Sequence, residues 1–491
     1  MSLRASLVVS LSVAAGICAF AMAAGLSGSV PAAFAVGALA AAGAGWALWT
    51  RALLVLDEAA APRGLRVLSG VATVVALVQL GLLTVFMVEP ARVACSTVPG
   101  SAWEVRHSCL TAYFVAGEAM GRGEDIFDTR LYNEPSDTGV GPRVQRKLGP
   151  FGVDVYEYPP PFLLVPRLIS RLAGGDFFRL RPLWFGLCAS IVLVAMLAVA
   201  RRMGPVAGTR ALLLLPLAWI GHPMMSTLQK GNIQLVVVAL AMLALLLFET
   251  RRWAMGALLL AYATVSKLYP GMLVVYMLAR RQWRATAWTA AMGLALVALT
   301  LWGSGWGPFF AFQEHLPKLL SGEAFPALRN PGPVAVNVSV PGLVLKARLF
   351  GMPGTGFGAM RIAGWIFTVI VLWATYRAAR RPVRDDEKPL VWLAVLILAT
   401  LRSPFLPQTY GVLPALWALT LLAATYAPTA RTLAFVVLGV VACNAHWPLD
   451  WPMDPRLRAT VNMLLPQAAT IALAILALRR RIGPEPSTLK S

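Results

Sequence analysis

The chain has 491 residues, of which 58% are hydrophobic and only 13% are charged, and its mean hydropathy is +0.69. A water-soluble domain carries about a quarter charged residues, so the composition excludes that class. The formal charge of +21 comes largely from arginines at the ends of apolar runs, which follows the positive-inside bias and argues against nucleic-acid binding. Because backbone groups in lipid must be satisfied within their own segment, the sequence predicts an all-α polytopic membrane protein.

The apolar runs are long enough to be membrane spans. They lie near residues 5–25, 30–55, 66–88, 182–200, 210–226, 233–249, 285–303, 361–379, 388–403, 410–426, 432–446 and 459–478. With a hairpin described next, they predict about 13–14 transmembrane helices, with both termini in the cytoplasm. The first run is not predicted to be a secretory signal, because a second run follows at once and Arg4 is its one basic flank.

Residues 253–280 form an unusual segment, because arginine clusters flank both of its ends. Both ends are therefore predicted to be cytoplasmic. At about 1.5 Å per residue the segment is too short to cross a core of about 30 Å twice. It is predicted to be a hairpin of two short helices that turns at Lys267–Gly271.

The predicted topology divides the chain into three parts. Residues 1–65 are expected to hold two accessory N-terminal helices, residues 66–480 the main module, and residues 481–491 a cytoplasmic tail. Within the main module, the outer loop 89–181 carries half of the chain's 22 acidic residues, and a second outer loop spans 304–359. A concentration of carboxylates in one extramembrane loop indicates that the chemistry takes place there.

Titratable and amphipathic features gather on the predicted outer side. All four histidines fall there, at positions His107, His222, His315 and His446. The stretches Ser108–Gly121 and Pro159–Leu172 are predicted to be interfacial helices. They either frame an opening through which a lipid enters, or only cap the bundle.

Four motifs in order carry a family resemblance. They are AYFVAGEAMGRGEDIFD, YEYPPPFLLVPRL, LQKGNIQLVVVALAMLALLL and WAMGALLLAYATVSKLYPGMLVVYMLARRQWRA. Over roughly residues 105–430 the chain resembles glycosyltransferase family 87, which includes mycobacterial mannosyltransferases of phosphatidylinositol mannoside synthesis. The resemblance implies a GT-C-like bundle, a polyprenyl-phosphate sugar donor and inverting transfer on the outer face. It also implies that a carboxylate in the first outer loop is the general base.

The chain departs from the family pattern where that base is expected. The matching position holds Cys109, preceded by Ser108, and neither side chain is a carboxylate. The substitutes considered as base are, in order, Glu104, Asp154, Glu118 and Glu157. His315 is a further catalytic candidate, because an imidazole can assist proton transfer. For each carboxylate the alternative is a solvated loop charge.

Lys267 is the strongest candidate for substrate binding, because a lysine at membrane depth is costly without a partner. It is predicted to contact the prenyl phosphate; alternatively it extends to the interface or pairs with a loop acid. The other predicted substrate-binding residues are Lys230, Asn232, Gln234, His222, Arg402, Tyr269 and Asn337. Residues 222–234 are predicted to form a polar outer turn between two spans, and for Asn232 the alternative is an N-capping turn before the next helix.

The sequence therefore predicts a membrane glycosyltransferase that moves mannose or arabinose from a polyprenyl-phosphate donor to a lipid or glycan acceptor. The alternatives are a flippase for lipid-linked glycans and a non-catalytic binder of such donors. No cofactor is expected, because neither a nucleotide motif nor clear metal-ligand spacing is present. A disulfide between Cys95 and Cys109 is left open. The protein is expected to be a monomer in a bacterial inner membrane, with no nucleic-acid partner.

Overall fold

The computed structural model describes residues 2–50, 54–135, 144–444 and 454–479. The predicted tail 481–491 and His446 lie outside these described residues. The helices are α1 (Leu3–Ser27), α2 (Val30–Thr50), α3 (Arg63–Val88), α4 (Ala102–Arg106), α5 (Leu110–Gly121), α6 (Leu164–Leu172), α7 (Phe177–Arg202), α8 (Gly204–Trp219), α9 (His222–Lys230), α10 (Gln234–Glu249), α11 (Trp253–Ser266), α12 (Gly271–Ala279), α13 (Trp283–Ser304), α14 (Gly307–Ser321), α15 (Pro331–Val336), α16 (Gly342–Leu349), α17 (Phe357–Arg380), α18 (Lys388–Thr400), α19 (Gln408–Gly411), α20 (Leu413–Ala424), α21 (Ala430–Asn444) and α22 (Pro455–Arg479).

In the described residues the strands are short and lie in the first loop. They are β1 (His107–Ser108), β2 (Asn133–Glu134), β3 (Val144–Gln145), β4 (Lys147–Leu148) and β5 (Phe151–Val153). In one sheet β5 lies between β1 and β4, parallel to β1 and antiparallel to β4. β2 and β3 form a separate antiparallel pair.

Within the described residues, seven helices are long and apolar enough to cross a membrane, namely α1, α2, α3, α7, α13, α17 and α22. α8 and α9 together add an eighth candidate, although they are bent by 65° relative to each other. Other predicted spans are shorter apolar helices, among them α10, α11, α18 and α21. The prediction of an all-α polytopic membrane protein is confirmed.

The helices of the bundle approach closely at glycines. α1 packs against α2 and α7. A Cβ atom on Gly186 of α7 would lie 2.6 Å from the backbone oxygen of Cys18 in α1. Glycine therefore allows the backbones of α1 and α7 to touch, as small residues do in membrane helix pairs.

The hairpin predicted for residues 253–280 is confirmed in its helices and turn. α11 has 14 residues and α12 has nine, with Lys267 directly after α11. α11 packs against α10 and α13, and Tyr262 Oη donates a 3.2 Å hydrogen bond to the backbone oxygen of Phe162. The first loop and the hairpin are thus in direct contact.

α5 departs from the amphipathic helix predicted for Ser108–Gly121. It begins at Leu110 and is buried on most of its surface, with Glu118 and Gly121 exposed. It packs against α6, α7 and β5. Most of its side chains are small or apolar, so the surrounding elements can cover it on nearly all sides.

Candidate active site

The parallel pairing of β1 with β5 builds the site. His107 is opposite Gly152 and Ser108 is opposite Val153. The next residues of the two strands, Cys109 and Asp154, therefore leave the sheet side by side. Thr111 holds the second strand end, because its Oγ1 accepts a 3.0 Å hydrogen bond from the backbone N–H of Asp154.

Three side chains with titratable groups meet at this strand end. His107 Nδ1 lies 3.4 Å from Asp154 Oδ1, and His107 Nε2 lies 3.7 Å from Cys109 Sγ. The side chains of His107 and Asp154 are 19% and 23% exposed, so small molecules can reach them. Trp103 stacks on the imidazole with a centroid distance of 4.4 Å and an interplanar angle of 15°, which fixes the ring's orientation.

The thiol of Cys109 is enclosed by polar groups from distant parts of the chain. Asn232 Nδ2 donates to Cys109 Sγ over 3.3 Å, and Tyr410 Oη lies 3.3 Å from the same sulfur. Cys95 and Cys109 are both free thiols, so the disulfide left open by the sequence is not formed. Cys109 instead belongs to the cluster with His107.

Burial shifts the protonation of all three groups. It raises the pKa of Asp154 to about 7, although the nearby Lys230 charge acts in the opposite direction. It lowers the pKa of His107 to about 3, so the imidazole is neutral at pH 7 and its contact with Asp154 is no ion pair. Burial also raises the pKa of the Cys109 thiol to about 12. Low polarity disfavours the charged form of each group.

Glu104 is engaged in a buried ion pair. Its Oε1 accepts a 2.8 Å hydrogen bond from Lys230 Nζ, and its Oε2 accepts a 2.9 Å hydrogen bond from Ser226 Oγ. His222 Nε2 lies 3.9 Å from Oε1. The Lys230 side chain has no exposed surface, and its Nζ lies 4.1 Å from the Trp103 ring centroid. Glu104 and Lys230 thus form an ion pair beside the cluster of His107, Cys109 and Asp154, and the pair is largely shielded from solvent.

α9 delivers several of these groups to the site. A polar turn was predicted at residues 222–234, but the structure has the nine-residue helix α9 there, capped at its C-terminus by Gly231 with φ of +67°. Asn232 Oδ1 accepts a 2.9 Å hydrogen bond from the backbone N–H of Gln234, so Asn232 caps α10. Its amide group is at the same time a donor to Cys109.

Lys267 approaches the site from the hairpin. Its half-buried ammonium group lies 5.2 Å from the centroid of the Tyr158 ring and interacts electrostatically with Glu157. Tyr113 Oη donates to Tyr158 Oη over 3.2 Å. Burial raises the pKa of Glu157 well above its usual range, while Lys267 acts in the opposite direction. Residues 154–158 therefore join the strand end to the hairpin turn.

Two more predicted residues pack behind the hairpin turn. Tyr269 Oη donates a 3.4 Å hydrogen bond to the backbone oxygen of Gln234. Gln234 Nε2 donates over 3.4 Å to Thr400 Oγ1. Tyr269 thus ties the hairpin turn to α10, and Gln234 ties α10 to α18.

The remaining predicted residues make their contacts elsewhere. His315 stacks on Phe127 with a centroid distance of 4.5 Å. Arg402 Nε donates to Thr368 Oγ1 over 3.1 Å. Asn337 is buried and donates over 2.8 Å to the backbone oxygen of Pro404. None of these contacts is to His107, Cys109 or Asp154, and the functional roles of the three residues stay predictions.

The sequence analysis missed four residues that shape the site, namely Trp103, Thr111, Tyr158 and Tyr410. Tyr158 lies in the motif YEYPPPFLLVPRL and Tyr410 lies eight residues after Arg402, so both are near residues already singled out. Trp103 and Thr111 carry no comparable signal. The role of Thr111 depends on β1 and β5 being neighbours, and that of Trp103 on its ring stacking on His107, and only the folded chain shows these contacts.

The fold and the site define a polytopic membrane protein with a titratable cluster where its first loop meets a short helical hairpin. Glycosyltransferase family 87 matches residues 156–404, just over half of the chain, and the protein belongs to this family. The matched segment contains Glu157, Lys230 and Lys267. The strand-end cluster of His107, Cys109 and Asp154 lies just before it.

Two curated relatives are similar over part of their length. Both are described as polyprenol-phosphate-mannose-dependent alpha-(1-2)-phosphatidylinositol pentamannoside mannosyltransferases. The protein of Mycobacterium tuberculosis is 28% identical over 255 residues, which cover 50% of this chain and 55% of the relative. That of Mycolicibacterium smegmatis is 26% identical over 265 residues, covering 52% of this chain and 60% of the relative. The chain thus spans little more than half the length of these relatives.

Proposed function

We propose that this protein is a glycosyltransferase that moves a sugar, mannose or arabinose, from a polyprenyl-phosphate donor to a lipid or glycan acceptor. Family membership and the donor named for both mycobacterial relatives support this function. The observation that carries it is a cation beside the segment that carries a carboxylate: Lys267 lies 5.2 Å from the Tyr158 ring centroid and interacts electrostatically with Glu157, which follows Asp154 by three residues. Sugar transfer from a lipid phosphate needs one group to remove a proton and another to stabilise the departing phosphate.

Asp154 is the proposed general base. Among the four carboxylates considered, Glu104 is bound to Lys230 and Ser226, and Glu118 lies exposed on α5. Burial raises the pKa of Glu157 well above its usual range, which disfavours the charged form that a base needs. Asp154 is partly exposed and its contacting imidazole is neutral. This leaves its carboxylate available to accept a proton.

The reaction is a single displacement. Asp154 accepts the proton of the acceptor hydroxyl while the hydroxyl oxygen attacks C1 of the sugar. The bond between C1 and the phosphate oxygen breaks, and its electron pair leaves with the polyprenyl phosphate. Lys267 stabilises the negative charge of that leaving group, and attack opposite to it inverts the configuration at C1.

The proposed orientation places this reaction on the outer face of a bacterial inner membrane, with both termini in the cytoplasm. Arginine clusters at residues 201–202, 251–252, 280–284 and 377–384 support this orientation through the positive-inside bias. Residues 1–65 are proposed as accessory helices outside the catalytic module 66–480, since the family match begins at residue 156. The proposed active unit is a monomer.

The test is transfer by the purified full chain in liposomes that contain radiolabelled polyprenyl-phosphate mannose and a lipid acceptor extract. Asp154→Asn is expected to lower the transfer rate by about 10²–10⁴-fold, the usual contribution of a positioned base. Glu118→Gln is the matched control and is expected to keep the full rate, because Glu118 is exposed on α5. Full activity of Asp154→Asn would refute the base. Movement of donor across the bilayer without a labelled product would refute the transferase.

A further inference from the structure

The cluster at the strand end has the composition of a metal site. It offers an imidazole nitrogen from His107, a sulfur from Cys109 and a carboxylate oxygen from Asp154, and one such atom from each lies within 4.8 Å of the others. In a tetrahedral zinc site with bonds of about 2.0–2.3 Å, neighbouring ligand atoms are about 3.3–3.8 Å apart. His107 Nδ1 lies 3.4 Å from Asp154 Oδ1 and His107 Nε2 lies 3.7 Å from Cys109 Sγ. Whichever nitrogen binds the ion, it already has zinc-ligand spacing to one of the two partners, and the third ligand atom lies within 4.8 Å.

We propose that His107, Cys109 and Asp154 bind a zinc ion. A sulfur ligand beside an imidazole selects zinc over magnesium, calcium or manganese, which prefer oxygen ligands. No metal site was expected from the sequence, because clear metal-ligand spacing is not present: Asp154 is separated from Cys109 by a long stretch of chain. The pairing of β1 with β5 removes that separation.

The surroundings hold the ligands in place. Trp103 stacks on the His107 ring, and Asn232 donates to Cys109 Sγ, with the Tyr410 hydroxyl at the same distance from the sulfur. Such contacts orient metal ligands, and a donor to sulfur stabilises the thiolate form. An imidazole binds one metal ion through only one of its two ring nitrogens. The other nitrogen of His107 therefore remains available for a hydrogen bond. Three protein ligands leave a fourth position open for water or substrate.

A bound zinc ion has a consequence for transfer. Once Asp154 donates an oxygen lone pair to zinc, that carboxylate is a weaker proton acceptor. Zinc is therefore expected to inhibit transfer reversibly. This part rests on the proposed function, whereas the binding of zinc does not.

The experiment uses the full chain, purified without a polyhistidine tag and stripped with a chelator, and titrates it with Co²⁺ as a spectroscopic substitute for Zn²⁺. We expect one ion per chain and a sulfur-to-cobalt charge-transfer band. Cys109→Ser is expected to lose the band, and the matched control Cys95→Ser, in the same loop, to keep it. Zinc competition is expected to show at least about tenfold weaker binding for His107→Ala and Asp154→Asn, the lower end of what perturbing a metal site costs.

Several outcomes decide the proposal even if Cys109→Ser does not fold. In a second variant, Cys109 is the one cysteine that remains, because Cys18, Cys95, Cys188 and Cys443 are replaced. If the proposal is right, this variant keeps the charge-transfer band. Absence of the band in the wild-type chain, or its loss in the variant that retains only Cys109, overturns the proposal. If zinc binds but the metal-free chain transfers no sugar, the zinc site stands and the proposed function fails.

Discussion

The ion pair between Glu104 and Lys230 is expected to be one of the most sensitive contacts in the protein. The Lys230 side chain is 0% exposed and that of Glu104 is 10% exposed, and their charged atoms are 2.8 Å apart. Lys230→Met leaves the carboxylate buried with Ser226 as its remaining close donor. Removing one partner of a buried pair costs about 3–5 kcal/mol, because the other charge stays buried without compensation.

The double variant Glu104→Leu with Lys230→Met distinguishes the effect of the buried charge on stability from the effect of lost packing. Replacing both partners by apolar groups removes the uncompensated charge, so we expect most of the lost stability to return. The measurement is unfolding of the purified chain by SDS in mixed micelles, evaluated as a double-mutant cycle with both single variants.

The control is Arg122→Met, which removes one partner of an exposed pair with Glu124, and we expect it to leave the unfolding curve unchanged. Additive effects of the two single substitutions would contradict the reasoning. So would a Lys230→Met variant as stable as the wild-type chain, because it would mean that the Glu104 carboxylate is solvated when alone.

Two further predictions concern the hairpin and the bundle. Lys267→Met is expected to lower the transfer rate by about 10²–10³-fold, the cost of losing one preorganised charge at a leaving group, with partial recovery in Lys267→Arg; an unchanged rate would remove Lys267 from the mechanism. Gly186→Ala is expected to cost about 1–3 kcal/mol in the same SDS titration, because the new Cβ would lie 2.6 Å from the backbone oxygen of Cys18. Gly70→Ala, whose Cβ meets no atom within 4 Å, is its control, and equal stabilities of the two variants would contradict the close packing of α1 and α7.

The sequence predicted elements whose signals are local. The hairpin followed from arginines at both ends of a segment too short to cross twice, and the structure has α11, the turn at Lys267 and α12 there. The helix α9 was taken for a turn, because its polar residues break the apolar pattern. In the folded chain those side chains are buried, and Ser226, Gln229 and Lys230 all bond to Glu104.

The site itself was only partly predictable. Lys267 and Asp154 were chosen individually, from the cost of a buried lysine and from the concentration of acids in one loop. The neighbourhood of Asp154 depends on the pairing of two very short strands, which leave no alternating pattern in the sequence. The same pairing explains why Cys109 was considered for a disulfide and found instead beside His107.

The unequal lengths of the hairpin helices have a consequence for Lys267. α11 and α12 have 14 and nine residues, so they are about 21 Å and about 14 Å long at 1.5 Å per residue. Neither helix can span a hydrocarbon layer of about 30 Å. The lengths of the two helices therefore determine how deep in this layer the ammonium group of Lys267 is expected to lie. One residue inserted into α11 would turn Lys267 by about 100° around the helix axis, further than a flexible side chain can follow. A change in bilayer thickness is therefore expected to change the distance between the Lys267 ammonium group and the bilayer surface.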